Sequence, residues 1–180
     1  MEDKELLLLI EKDPDKGFRY LVKEYSKPIY WHIRKIVLIH DDADDVTQNV
    51  FIKVFQNLAS FKGDSSLKTW IYRIATNESI NFLNSAAQKK NVNSEDLAIQ
   101  LSSQLPDDNF FEGNEIQLKL QQAIATLPEK QRIVFTMKYF DDMKYEQISE
   151  ILETSVGALK ASYHHASKKI EEFLLKSLEK

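Results

Sequence analysis

The chain has 180 residues, 43% of them hydrophobic, enough to fill one domain or two small ones and too many for global disorder. It carries a net charge of −4 and no cysteine, which excludes disulfides and thiol chemistry and suits a reducing cytoplasm. No apolar run approaches the roughly 18 residues that span a bilayer, and Leu6–Ile10 lacks the basic start and cleavage site of a signal peptide.

Four glycines and four prolines point to an all-α chain of long helices with few turns. The acidity is concentrated. Residues 1–90 hold 14 Lys or Arg against 13 Asp or Glu, residues 91–126 hold 1 against 6, and residues 127–180 hold 9 against 9. Both flanks are near neutral and can each present a local basic face, while the middle cannot.

Residues 1–12 read as a short helix with Leu6–Ile10 as its apolar part. Asp13-Pro14-Asp15 opens the next, because proline is tolerated in a first helical turn. Phe18, Leu21, Val22 and Tyr25 follow at helical spacing. Pro28 is expected to kink or restart this helix, and Ile29, Ile33, Ile36 and Val37 continue its apolar face. The acidic stretch His40–Asp45 leads into a third helix, where negative charge is favourable at the N-terminal end.

That helix is expected to end near Leu58. Val46, Val50, Phe51, Val54 and Leu58 form its buried stripe, and Asp45, Gln48, Asn49 and Gln56 lie opposite with Ile52 among them. A single exposed isoleucine is ordinary. An apolar centre flanked by an acid and amides is interface anatomy. Asp44, Asp45, Gln48, Asn49 and Ile52 are therefore read as a docking face.

Phe61–Asn77 reads FKGDSSLKTWIYRIATN. Gly63 permits a tight turn, and Ser65 or Ser66 can cap the helix that follows. Leu67, Ile71, Ile74 and Ala75 share one face of that helix. Trp70, Arg73 and Asn77 fall along another, and Tyr72 stands on the opposite shoulder. A row of Trp, Arg and Asn can stack on a base, neutralise a phosphate and hydrogen-bond a base edge. Packing alone would also account for Trp70. The helix is expected to reach about Leu83.

From residue 84 to 114 the sequence turns polar and acidic and is broken by Pro106 and Gly113. It reads as a flexible linker with short helical turns around Leu97–Leu101, and with Phe110 and Phe111 as contacts to a domain surface. Beyond it, Ile116, Leu120 and Ile124 are in helical phase. Leu127-Pro128-Glu129 opens another helix with Ile133, Val134, Met137 and Phe140 inward, and Asp141-Asp142 makes a turn.

Tyr145–Leu152 then forms a short helix, Glu153-Thr154-Ser155 a turn, and Ser155 a cap for the last helix. This is a helix-turn-helix pattern. In the last helix Val156, Leu159, Tyr163, Ala166 and Ile170 face inward. Gly157, Ala161, His164 and Lys168 lie opposite, flanked by Lys160 and His165, with Ser155 and Ala158 at the start. Small residues allow close approach to a surface, and Lys and His can reach phosphates and bases. Such helix pairs also occur in ordinary bundles.

No Gly-rich phosphate loop, nucleophile signature or metal-ligand spacing is present, so no enzyme activity, cofactor or metal is expected. His164 and His165 are adjacent and diverge on a helix, and Asp41, Asp42, Asp44 and Asp45 lack the spacing of a calcium loop.

Two stretches resemble one family. DADDVTQNVFIKVFQNLASFKGDSSLKTWIYRIATN, ending at Asn77, is similar to region two of bacterial sigma factors of the extracytoplasmic-function group. LPEKQRIVFTMKYFDDMKYEQISEILETSVGALKASYHHASKKI, Leu127–Ile170, looks like their region four. The resemblance implies two small helical domains, residues 1–90 and 115–180, joined by an acidic linker at 91–114. It implies a cytoplasmic, non-catalytic subunit that loads core RNA polymerase on promoter DNA, with no membrane insertion and with an anti-sigma factor as a further partner.

By that resemblance, Asp44, Asp45, Gln48, Asn49 and Ile52 would dock on the β′ clamp helices, and the C-terminal domain would meet the β flap. Lys62, Lys68, Thr69, Trp70, Tyr72, Arg73 and Asn77 would capture and support unstacked bases of the minus-ten element. Ser155, Gly157, Ala158, Lys160, Ala161, His164, His165 and Lys168 would face the minus-thirty-five element. Many relatives carry arginines in this last helix, and their absence here implies low duplex affinity for the isolated domain. A stand-alone helix-turn-helix regulator, the alternative, leaves the Trp70 stretch and the Ile52 face unused, and a helical adaptor that binds only protein needs no Trp70, Arg73 and Asn77 row.

Overall fold

The computed structural model describes residues 2–108 and 114–179, and every regular element among them is helical. Helix α1 (Asp3–Lys12) packs on α2 (Pro14–Val37) so closely that a Cβ on Gly17 would come within 2.5 Å of Ile10 Cγ1. Only glycine fits that crossing. Asp13 caps α2 by accepting from the Lys16 amide, and Pro14 takes the first turn. The restart expected at Pro28 does not occur. Proline removes one backbone bond, and the fully buried Ile29, Ile33, Ile36 and Val37 carry the helix past it.

The chain turns sharply at the buried Leu38, φ 72°, where the Ile39 amide donates to the Val37 carbonyl. A left-handed branched residue is strained, and burial of its side chain holds it there. Helix α3 (His40–Asn57) follows, burying Val46, Val50, Phe51 and Val54, with one 3₁₀ turn, Leu58–Ser60, after it. Gly63 sits at φ 75° in the next loop. Helix α4 (Leu67–Lys89) is capped by Ser66, which accepts from the Thr69 amide at 3.1 Å. The Asp3 carboxylate accepts from the Leu67 amide at 2.8 Å and ties α1 to the same helix start. Continuing past Leu83, α4 buries Ala87.

The acidic connection contains a helix, α5 (Ser94–Ser102), capped by Asn93. Leu97, Ala98, Leu101 and then Leu105 are buried, so its few apolar residues pack on α4 and α6 while the acids stay outside. The expected contacts of Phe110 and Phe111 lie outside the described residues.

Helix α6 (Glu115–Ala125) leads to α7 (Glu129–Phe135), which widens into one π-helical turn, Thr136–Phe140. Helices α8 (Tyr145–Leu152) and α9 (Val156–Leu178) complete the chain, with Ser155 capping α9 through the Ala158 amide. A small core of Ala123, Ile124, Leu127, Phe135, Ala166 and Ile170 holds α6, α7 and α9 together. A larger one runs from Leu6 through α2–α5 and on to Ile133, Met137, Ile148, Ile151 and Leu159. The N-terminal and C-terminal helices therefore close on one another, α4 against α8.

Candidate nucleic-acid interface

Three surfaces carry the residues singled out by the sequence. On α3, Asp44, Asp45, Gln48, Asn49 and Ile52 are all exposed on one continuous face. Ile52 is 54% exposed and Phe55, one turn further, 50%. Phe55 meets the Phe18 ring edge-on at 4.9 Å. It belongs to this apolar centre although the sequence reading passed over it; its signal was the three-residue spacing from Ile52. At the start of the helix, His40 Nδ1 pairs with the Tyr30 hydroxyl at 2.6 Å. The Asp42 carboxyl is pushed above its ordinary range by burial and by the charges of Asp45 and Asp41.

The second surface is built on α4. Trp70 is half-buried and leans on Phe61 with ring centroids 5.1 Å apart, so packing and exposure divide the indole between them. Beside it lies a groove of about 310 Å³ lined by Lys53, Asn57, Ser60, Trp70, Asn77 and Glu78. Asn77 is exposed, and Lys53 pairs with Glu78 at 2.6 Å across the wall. Lys53, Asn57 and Ser60 come from α3 and its end, and only the packing of α3 on α4 brings them to Trp70.

The other α4 residues are placed differently. Lys62 is exposed in the loop and Lys68 is half-buried, with its ammonium 5.7 Å from the Tyr72 ring centre. Thr69 is buried and shares a hydrogen bond with the Ser66 hydroxyl at 2.8 Å. Tyr72 is 3% exposed and stands edge-on to His32 at 5.0 Å. Burial pushes its phenol well above the usual range, with the Asp141 charge adding to the effect. Arg73 is half-buried and donates to the Glu150 carbonyl of α8 at 2.9 Å.

The third surface is the outer face of α9. Ser155, Gly157, Ala158, Lys160, Ala161, His164, His165 and Lys168 are all exposed, and nothing lies within 4 Å of a Cβ built on Gly157. Lys160 and Lys138 both lie over the Tyr145 ring, at 5.8 and 5.0 Å, which sets the Lys160 stem against α8. Behind this face, Tyr139, Phe135 and Tyr163 stack in a ladder with centroids 5.1 and 5.5 Å apart. The ladder borders an apolar groove of about 380 Å³ shared with Leu120, Leu174, Leu175 and Leu178.

Among the described residues no group of three or more His, Cys, Asp or Glu could hold a metal ion, and no helix is long and apolar enough to cross a membrane. One helical chain thus carries an exposed face on α3, a groove beside the Trp70 indole and a helix-turn-helix at α8 and α9. Residues 21–89 match Sigma-70 region 2, and residues 117–170 match Sigma-70, region 4. The chain is 30% identical to the ECF RNA polymerase sigma-E factor of Escherichia coli, over 95% of this chain and 93% of that protein. It is 29% identical to the RNA polymerase sigma-H factor of Pseudomonas aeruginosa, over 96% and 94%.

In fold it is similar to CnrH, solved in complex with the cytosolic domain of CnrY, with a TM-score of 0.71, 18% identity and 96% of each chain covered. It is also similar to RpoE of Bartonella quintana, solved in complex with the anti-sigma factor NepR, with a TM-score of 0.70, 18% identity, and 88% of this chain and 97% of that one covered. The chain belongs to the extracytoplasmic-function group of RNA polymerase sigma factors.

Proposed function

We propose that the three surfaces divide the work of a sigma factor. The α3 face of Asp44, Asp45, Gln48, Asn49 and Ile52, extended by Phe55, docks on the β′ clamp helices of core polymerase. The observation that carries this reading is that every polar residue of the face is exposed around two exposed apolar side chains. The apolar groove beside the Tyr139–Phe135–Tyr163 ladder suits an amphipathic helix, which is what the β flap would offer.

The groove beside Trp70 takes a base unstacked from the minus-ten strand. The indole stacks on it, and Asn57, Ser60 and Asn77 hydrogen-bond its edge. Lys62, Lys68 and Arg73 neutralise the strand's phosphates. Thr69 and Tyr72 act from beneath, Thr69 holding the helix start and Tyr72 supporting the neighbouring turn. The exposed α9 face, with Lys160, His164, His165 and Lys168, lies in the major groove of the minus-thirty-five element. Stacking worth about 1–3 kcal/mol per base offsets the few kcal/mol of unstacking, so long as polymerase supplies the rest of the affinity.

The chain itself contributes no catalysis in this reading, and it works in the cytoplasm. An anti-sigma factor is its further partner, as NepR is of the Bartonella quintana protein. The test is transcription with purified core polymerase on a promoter library, with start sites mapped. The expected result is co-purification with core and a defined set of starts. A protein that neither binds core nor selects starts would overturn the reading, and DNA binding without core would favour the stand-alone regulator.

A further inference from the structure

One cavity lies apart from the three surfaces and is lined by residues that none of them uses. It holds about 320 Å³, with α2 on one side and α6 and the π-helical turn on the other. Asn114 and Gln117 are exposed at its mouth, Trp31, Lys35 and Phe140 are half-buried, and Arg34 and Gln121 are buried. Ligand pockets run from roughly 300 to 1,000 Å³, so this one has room for a single ring system with short polar substituents.

Two polar groups of the lining lack partners of matching chemistry. Lys35 donates to the Trp31 carbonyl at 3.1 Å. Its ammonium stands 5.7 Å from the Trp31 ring centre and 4.7 Å from that of Phe140. No carboxylate lies within 4 Å of it among the described residues. Burial pushes Lys35 below the usual lysine range, and the Asp141 charge acts against that from further away. Gln121 is 7% exposed, and its carboxamide makes no hydrogen bond among the described residues. A buried carboxamide without a partner is costly, and one that borders a cavity is satisfied by what enters it. Asn114 Oδ1 accepts from the Gln117 amide at 3.1 Å, which leaves the Asn114 side-chain nitrogen as a further donor. The lining thus offers a cation, several donors and two rings, and it contains no carboxylate.

We propose that this cavity binds a small aromatic acid. Its ring lies against Trp31 and Phe140, its carboxylate meets the Lys35 ammonium, and a polar ring substituent meets the Gln121 carboxamide. Arg34 is taken by Asp108, so Lys35 balances the ligand, one charge for one charge. A carboxylate matches that count and a phosphate dianion does not. Trp31, Arg34 and Lys35 come from α2, while Asn114, Gln117 and Gln121 come from α6 and its cap, so the full chain is needed to build the site. The site shares no residue with the α3 face, the Trp70 groove or the α9 face. It stands whether or not those surfaces carry the roles given to them.

The probe is para-hydroxybenzoate, which has one ring, one carboxylate and one polar substituent. Ligand-observed NMR on the full-length chain is expected to show saturable binding with a Kd of about 1 mM or tighter, within reach of a ligand of this size. Benzamide keeps the ring and loses the charge, and cyclohexanecarboxylate keeps the charge and loses the planar ring. Each is expected to bind about five-fold more weakly or worse. Lys35→Met is expected to weaken the probe about ten-fold and Gln121→Leu about three-fold. The chain has two tryptophans, so in Trp70→Phe the emission of Trp31 alone reports whether the probe sits here. Absence of saturable binding would overturn the site, as would equal affinity for benzamide or cyclohexanecarboxylate. Binding that leaves Trp31 emission unchanged would place the probe elsewhere and refute the proposal. Should Lys35→Met or Gln121→Leu lose native helix content, the ligand comparison on the native chain and the Trp31 emission decide.

Discussion

The Arg73 guanidinium donates to the Glu150 carbonyl oxygen at 2.9 Å, across 77 residues of sequence, and joins α4 to the first helix of the helix-turn-helix. A charged donor to a neutral carbonyl contributes about 1.5–3 kcal/mol when well desolvated, and less where water reaches it, as it does at this half-buried residue. Arg73→Ala is expected to cost about 1 kcal/mol of unfolding free energy or less. Its effect on promoter opening is expected to be larger, a loss of ten-fold or more followed by fluorescence of a base analogue in the minus-ten strand. A stability loss with normal opening would make Arg73 a domain clasp alone.

Helical periodicity made the N-terminal half legible. Val46, Val50, Phe51 and Val54 are the buried stripe of α3, with Leu58 buried in the 3₁₀ turn that follows, and Ser66 and Ser155 cap the helices they precede. What periodicity could not show is how helices meet. Lys53, Asn57 and Ser60 joined Trp70 only through the packing of α3 on α4. Helix phase set Tyr72 and Trp70 on opposite shoulders without showing which of them is exposed; the Tyr72 ring is buried against His32, because α2 crosses on that side. The His32–Asp141 bond spans 109 residues, and no local pattern signals it. Helix α5 was legible only as short turns, since its few apolar residues sit in a polar, acidic stretch and tertiary burial of Leu97, Ala98 and Leu101 decides its length.

Trp70 divides its indole between Phe61 and the groove, so truncation should have a modest structural effect and a large functional one. Trp70→Ala is expected to lower stability by about 1–2 kcal/mol, less than the 3–5 kcal/mol of a fully buried tryptophan. Strand opening should be lost while binding to core polymerase stays within two- or three-fold. A calorimetric melt and a core pull-down on the same preparation separate the effects. A stability loss of the full-core size would assign Trp70 to packing.

On α3 the residues proposed to dock on polymerase are exposed, so their replacement should leave folding alone. Asp45→Arg with Ile52→Glu is expected to change stability by less than about 0.5 kcal/mol. Affinity for core polymerase should fall at least ten-fold by competition with a labelled sigma factor. Phe55→Ser should weaken core binding further if the apolar centre extends to it. Normal core binding by the double variant would remove α3 from the contact.

Glu153 closes α8 in the left-handed region, φ 50°. L-residues are disfavoured in that conformation by about 1–2 kcal/mol, and glycine is not. Glu153→Gly is expected to stabilise the chain by about 0.5–1 kcal/mol, after the greater entropy of glycine in the unfolded state is subtracted. Thermal melting checks this. Promoter selectivity should be unchanged, since the turn geometry that sets α9 against α8 is the one glycine prefers.

Arg132 is 0% exposed, and its guanidinium finds no acceptor among the described residues. Burial pushes its pKa below the ordinary arginine value, while the charges of Glu129 and of Glu95 on α5 act in the opposite direction. The outcome of replacing it depends on which effect is larger. With no hydrogen bond made, desolvation is the larger, and an unbranched apolar residue of similar length removes it. Arg132→Met is therefore expected to raise unfolding free energy by about 1–4 kcal/mol, the range seen when buried ionic groups are replaced by packed hydrophobes. A fall in stability would show that the field of Glu129 and Glu95 outweighs the desolvation.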